Sequence, residues 1–203
     1  MNSLEELAKK FGTDKQASQH NYTPMYEEWM ECRREDSVNL VEIGIGPSGA
    51  SARMWREYFS HGTILMIDDY TEFGGTPKEI EGVSILRGHQ ADPEVWENIP
   101  DGLDFVIDDG SHKPNDCIAS VTKGFSKLKS GGLWFIEDTH CNFTPVFSDK
   151  DILYPWIFDM ERNIQFSNLG TGDFYKSCQN IQGLDSIVYS IHMYKSVIVL
   201  QRS

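Results

Sequence analysis

Short apolar runs recur along the chain, each closed by acidic or glycine-rich residues, with helically periodic stretches between them. Strands are predicted at about 38–43, 63–68, 83–87, 103–108 and 133–137. Their cores, such as Ile64-Leu65-Met66-Ile67 and Phe105-Val106-Ile107, lack the polar alternation of a half-solvated sheet and read as buried on both faces. Helices are predicted over 4–10, 23–33, 49–59, 92–98, 115–128 and 152–166. The segments Phe11 to Tyr22, rich in Gly, Asp, Ser and Asn, and 139–151 read as loops. The chain closes with two β-rich runs, Ser186 to Tyr194 and Ser196 to Gln201, separated by little more than Lys195. No crossover helix fits there, so these two strands must pair antiparallel. The expected fold is α/β: a doubly wound, mostly parallel seven-stranded sheet with an antiparallel C-terminal hairpin and ligands at the carboxyl ends of its strands. One domain is expected over residues 1–203, with a helical N-terminal lid (1–35) and an insertion at 139–180 on the substrate side.

The strand ends carry the candidate chemistry. Leu103-Asp104-Phe105-Val106-Ile107 runs into Asp108-Asp109-Gly110-Ser111-His112, and Leu133-Trp134-Phe135-Ile136 runs into Glu137-Asp138. Neighbouring strand ends would present Asp109, Glu137 and Asp138 beside His112. Hard oxygen donors with a titratable base at their edge suit a divalent metal, Mg²⁺ or Mn²⁺, that activates a substrate hydroxyl. Asp108 and Asp109 have a plainer reading as caps of the helix that follows. His140 has three readings: a substrate contact, a support for the site, or a surface residue.

A third strand end, Glu42, leads into Gly44-Ile45-Gly46-Pro47-Ser48-Gly49, which matches the spacing G-x-G-x-x-G. Such a loop turns tightly and lets a ligand approach the backbone. A pyrophosphate would sit well on the helix N-terminus that follows. A carboxylate two residues before the first glycine suits a cationic or hydrogen-bonding ligand better. Asp68, at the end of the second strand, fits a ribose diol in either case.

The bulk numbers narrow the class. With 18 Lys and Arg against 31 Asp and Glu, the formal charge is −13, which argues against nucleic acid as the substrate. The four cysteines are scattered with no CxxC, which speaks against a zinc site and for reduced thiols in the cytoplasm. Neither a signal peptide nor an apolar run of membrane-spanning length is visible, so no membrane partner is expected.

The glycine loop resembles the first motif of class I S-adenosylmethionine-dependent methyltransferases, (D/E)-x-G-x-G. The resemblance narrows on Phe11-Gly12-Thr13-Asp14-Lys15, His20-Asn21-Tyr22, Ile107-Asp108-Asp109-Gly110-Ser111-His112 and Ile136-Glu137-Asp138-Thr139-His140. Together these are similar to the metal-dependent sugar O-methyltransferases of macrolide biosynthesis, the mycinamicin VI and macrocin type, over nearly the whole chain. The interval of 28 residues from Asp109 to Glu137 also resembles that of catechol O-methyltransferases, where a lysine base stands three residues after the first metal ligand. Here that place is held by His112.

This resemblance implies S-adenosyl-L-methionine and Mg²⁺ as cofactors, with Asp109, Glu137 and Asp138 as metal ligands and His112 as general base. It implies a cofactor site drawn from Lys15, Glu42, Gly44, Gly46, Ser48, Asp68, His89, Gln90 and Asp108. In the family the glycine loop holds the amino-acid half of the cofactor, and the acid after the second strand holds the ribose. Lys15 has two readings, the cofactor carboxylate or a surface pair with Asp14. Gly88-His89-Gln90 stands where relatives usually show G-D-Q, so the adenine contact of His89 departs from the pattern. The mycinamicin type also carries an added N-terminal domain outside these 203 residues.

The implied acceptor is a small molecule with two adjacent oxygens, such as a sugar-containing compound, and self-association is left open. Phe143, Phe147, Tyr154, Trp156, Phe158 and Phe166 read either as an acceptor pocket or as core and interface. Two competing readings remain. An NAD(P)-dependent oxidoreductase would account for the glycine loop and Asp68 but leaves the clustered acids and the hairpin unexplained. A non-catalytic S-adenosylmethionine-binding module would tolerate loss of the base and ligands, yet all four are present.

Overall fold

Burial follows the apolar runs closely. In the computed structural model, which describes residues 2–70, 79–147, 151–167 and 183–203, the strands are β1 (Asn39–Ile43), β2 (Thr63–Asp68), β3 (Val83–Arg87), β4 (Leu103–Asp108), β5 (Leu128–Ile136), β6 (Val188–Tyr194) and β7 (Val197–Arg202). The helices are α1 (Leu4–Phe11), α2 (Thr23–Met30), α3 (Ala50–Tyr58), α4 (Pro93–Glu97), α5 (Pro114–Gly124) and α6 (Leu153–Ser167). The strands are those of a seven-stranded mixed sheet of Rossmann-like type. The chain divides into two compact units, Met1–His89 and Gln90–Ser203.

In the first unit β1 pairs parallel with β2, and β2 with β3. α1 begins with a reciprocal cap: Ser3 accepts from the Glu6 amide while the Glu6 side chain accepts from the Ser3 amide. It ends at Gly12, whose left-handed backbone (φ 74°) turns the chain into the Phe11–Tyr22 loop. α3 turns Met54, Trp55 and Tyr58 inward, and Trp55 meets Tyr26 edge-on at 5.1 Å.

In the second unit β4 pairs parallel with β5, while β7 runs antiparallel to both β5 and β6. The hairpin expected from the short Lys195 connection is therefore present, with Ser196 in the left-handed region (φ 62°) at its turn. β4 is buried along all six of its residues. Trp134 of β5 packs against Trp96 of α4 at 5.3 Å and Phe125 at 6.3 Å.

The boundaries differ from expectation in two places. The helix expected to reach 128 stops at Gly124, followed by a 3₁₀ turn Phe125–Lys127. β5 begins at Leu128 rather than near 133, because the Ser130-Gly131-Gly132 stretch continues the strand through a register shift between Leu103 and Phe105. Gly131 sits at φ 76° there, within the irregular stretch of the strand. A 3₁₀ turn, Thr139–Phe143, also occupies part of the expected loop 139–151. Much of the insertion expected at 139–180 falls on 148–150 and 168–182, outside the described residues. Among the described residues no helix is long and apolar enough to cross a membrane.

Gly124 marks the tightest packing. A Cβ there would lie 2.4 Å from the ring of Trp96, which is itself buried. Alanine would ordinarily favour a helix over glycine by about 1 kcal/mol. Here the clash outweighs that, and Gly124→Ala is expected to destabilise by roughly 1–3 kcal/mol, read as a lowered urea midpoint. An unchanged or raised midpoint would contradict this packing.

Candidate active site

The register of β4 with β5 sets Asp108 beside Ile136, and the Glu137 amide donates to the Asp108 carbonyl at 3.0 Å. The chain leaves both strands through acidic residues at one level, as the sequence predicts. Beyond that point the consecutive carboxylates separate. Side chains alternate across a strand, so neighbours cannot do the same job without a change of backbone.

Asp108 turns inward and is 1% exposed. It accepts a short hydrogen bond from Ser120 Oγ and a second, at 2.9 Å, from Gln90 Nε2. Burial pushes its carboxyl up to about 6, against the lowering effect of those hydrogen bonds and of His112. Gln90 is used at both ends, since its Oε1 accepts from the Ser111 amide at 2.8 Å. This network fixes the turn that follows β4, with Ser111 Oγ donating to Asp116 at 2.8 Å. Neither acid caps α5 through its side chain: the cap position is Lys113, and no side-chain hydrogen bond is made there.

Asp109 joins a different group. The ligand atoms of Asp109, His112 and Asp138 all lie within 4.8 Å of one another, each residue partly exposed. Two of the three hold a backbone that L-residues rarely adopt, His112 at φ 57° and Asp138 at φ 51°. Such strain gathers where side chains must be aimed. His112 Nε2 stands 3.7 Å from Asp138 Oδ2, and the Phe147 ring packs edge-on against the imidazole at 5.8 Å. His140 Nδ1 lies 3.9 Å from the other Asp138 oxygen and is half exposed.

Ligands of an octahedral cation at about 2.1 Å stand roughly 3 Å apart when adjacent and about 4.2 Å when opposite. Ligand atoms all within 4.8 Å of one another are compatible with such a shell. Glu137, expected as a third ligand, is 3% exposed and is not a member of this group.

The glycine loop of the first unit is also built from its flanks. Gly44 and Gly46 take left-handed backbones (φ 91° and 63°). A Cβ on Gly46 would meet nothing within 4 Å, so the glycine is needed for its conformation, not for space. Asp68 accepts from the Ile45 amide at 2.9 Å and the Tyr70 amide at 2.6 Å, tying the loop to the end of β2. Each carboxylate oxygen has a second lone pair to offer a ligand. Ser48 is exposed, and its carbonyl accepts from Arg53. His89 is partly exposed.

Glu42 and Lys15 are both wholly buried, with Lys15 Nζ 3.4 Å from Glu42 Oε1. The surface pairing of Lys15 with Asp14 is thereby corrected: Asp14 instead lies 3.7 Å from His20, whose ring stacks on Tyr22 at 5.2 Å. Ser51, in the first turn of α3, donates to Glu42 Oε2 at 2.8 Å.

Sequence reasoning passed over Ser51 and Ser120. Both had a signal: each is a serine on an otherwise apolar buried helix face, Ser51 among Ala50, Ala52, Met54 and Trp55, Ser120 among Cys117, Val121 and Gly124. The aromatics near the second site are not core. Phe143 and Phe158 are 62% and 51% exposed, and Phe143 stacks on Tyr154 at 4.9 Å. The Phe166 side chain lies outside the described residues.

No family model matches the chain. It is 33% identical over 151 residues to the L-olivosyl-oleandolide 3-O-methyltransferase of Streptomyces antibioticus, covering 70% of this chain and 38% of that enzyme. It is 31% identical over 158 residues to the mycinamicin VI 2''-O-methyltransferase of Micromonospora griseorubida, covering 72% of this chain and 38% of that enzyme. The structure of MycE methyltransferase of the mycinamycin biosynthetic pathway, in complex with Mg and SAH, matches all of this chain and 55% of its own, with a TM-score of 0.85 and 26% identity. A further MycE complex, holding mycinamycin VI as well, matches with a TM-score of 0.82 and 25% identity. The chain thus spans well under two thirds of the length of these relatives. Its sheet, its C-terminal hairpin and its sequence place it in one family: the chain belongs to the class I S-adenosylmethionine-dependent methyltransferases, among the homologues of the macrolide-type sugar O-methyltransferases.

Proposed function

We propose that this protein transfers a methyl group from S-adenosyl-L-methionine to a hydroxyl of a sugar-bearing small molecule, with a divalent cation held at the ends of β4 and β5. The observation that carries this reading is the convergence of Asp109, His112 and Asp138, two of them in strained backbone conformations. The relatives' names, an L-olivosyl-oleandolide 3-O-methyltransferase and a mycinamicin VI 2''-O-methyltransferase, support the acceptor class.

Asp109 and Asp138 are the proposed ligands, with Glu137 the candidate third. Carboxylates suit Mg²⁺ or Mn²⁺, whereas imidazole suits softer cations, so His112 is assigned to proton transfer and not to ligation. When bound, the cation would orient an acceptor oxygen and ease loss of its proton. His112 takes that proton at Nε2. Asp138 Oδ2 stands 3.7 Å from that nitrogen, beyond hydrogen-bond reach. Phe147 against the ring limits its rotation. Asp108, locked by Ser120 and Gln90, holds the turn that presents Asp109 and His112. The glycine loop and Asp68 are assigned to the cofactor, whose sulfonium is already a good leaving group. Orientation of the two reactants should therefore contribute much of the rate.

EDTA is expected to abolish methylation of a sugar acceptor and Mg²⁺ to restore it; full activity in EDTA would remove the metal from the account. His112→Ala is expected to lower kcat by about 10²- to 10⁴-fold while leaving Mg²⁺ and S-adenosylhomocysteine affinities near wild type. Retained turnover would refute the base assignment, and a collapse of Mg²⁺ affinity would make His112 a ligand. Asp109→Ala should remove metal-dependent activity altogether, which an Mg²⁺ titration of turnover would read directly.

A further inference from the structure

Lys15 and Glu42 form an ion pair from which water is excluded on every side, both side chains 0% exposed. Burying two charges is costly, and an apolar pair of like volume often serves stability as well or better. Stability alone therefore gives little reason for a lysine at this position. What the pair does structurally is plain from its connections. Glu42 is the penultimate residue of β1, two residues before Gly44, and Ser51 lies two residues beyond Gly49. The 2.8 Å hydrogen bond from Ser51 to Glu42 closes the base of the glycine loop from its two ends. Lys15 Nζ, from the N-terminal loop, lies 3.4 Å from the other carboxylate oxygen.

That loop is itself tightly held. The Lys15 carbonyl accepts from the Tyr22 amide at 2.9 Å and the Thr23 amide at 3.3 Å, and the His20 amide donates to the Asp14 carbonyl at 3.0 Å. The Ala17 amide is anchored on the Glu5 carboxylate of α1 at 3.0 Å. The Phe11–Tyr22 segment thus delivers one ammonium group to one carboxylate.

We propose that Lys15 is a positioning residue: acting through Glu42 and Ser51, it holds the glycine loop 44–49 in the shape that receives the cofactor. The inference rests on the assignment of that loop to S-adenosylmethionine. Lys15 and Glu42 do not touch the cofactor in this account. They set the left-handed turns at Gly44 and Gly46 by pinning both flanks.

The test separates shape from stability. Wild type, Lys15→Met, and the pair Lys15→Met/Glu42→Leu are titrated calorimetrically with S-adenosylhomocysteine, and their thermal midpoints recorded. Lys15→Met leaves a lone buried carboxylate, so its midpoint should fall; should it not fold, the paired variant carries the experiment. The paired variant replaces the charges with apolar groups and should regain most of the midpoint lost in Lys15→Met, short of wild type only by the lost acceptor of Ser51. Its affinity should nevertheless stay at least about tenfold weaker, because the loop flank is no longer pinned. Recovery of both midpoint and affinity would make the ion pair merely structural and overturn the proposal. Failure of wild type itself to bind S-adenosylhomocysteine would sink the cofactor assignment and this inference with it, a different result from recovery in the variant.

Discussion

Side-chain alternation at the end of β4 is the constraint on which the candidate site depends. Two adjacent aspartates in extended backbone cannot both face the interior, and cannot both face a ligand without a change of backbone. Asp108 takes the interior and has its charge answered by Ser120 and Gln90, while Asp109 is left partly exposed. The buried member is therefore the scaffold of the exposed one. At the end of β5 the same problem recurs with Glu137 and Asp138, and there the left-handed backbone at Asp138 accompanies its entry into the group with Asp109 and His112. Strain at His112 and Asp138 is held in place by what surrounds them: the network that fixes the turn after β4, the Phe147 ring, and the Thr139 amide donating to the Ser196 carbonyl at 3.0 Å.

The first unit applies the same logic to a loop. Glycines provide the left-handed turns, but a loop of glycines has many conformations available. Its shape comes from polar groups at its flanks: Asp68 on the Ile45 amide, Ser51 on Glu42, and Lys15 on Glu42. In both units a buried carboxylate at or near a strand end lies just before partly exposed residues, Gly44 and Gly46 after Glu42 and Asp109 after Asp108.

Much of this was legible in the sequence because it lies in periodicity. Apolar strands ending in acids, and two terminal strands too close for a helix between them, lead to the Rossmann-like sheet with its hairpin. The residue types at the strand ends indicated metal and base chemistry before any geometry was known. What was not legible depends on contacts far apart in sequence. Whether Lys15 faced Asp14 or something else was decided by the fold carrying it to Glu42, 27 residues on. The left-handed backbone of Asp138, which groups with Asp109 and His112, leaves no mark in the local sequence pattern. The strand expected near 133 begins at Leu128, because pairing with β4 carries β5 through Gly131 and Gly132. Composition could not separate exposed aromatics from core ones either, and Phe143 and Phe158 lie on the surface.

The central claim is that this fold binds S-adenosylmethionine and works with a hard divalent cation. The most direct measurement is a calorimetric titration of the protein with S-adenosylhomocysteine and, separately, with NAD⁺, each with and without Mg²⁺. Binding of S-adenosylhomocysteine is expected, with a separate Mg²⁺ heat in wild type that Asp109→Ala lacks, and no binding of NAD⁺. Binding of NAD⁺ alone would contradict the claim and recast the acids at the ends of β4 and β5 as structural.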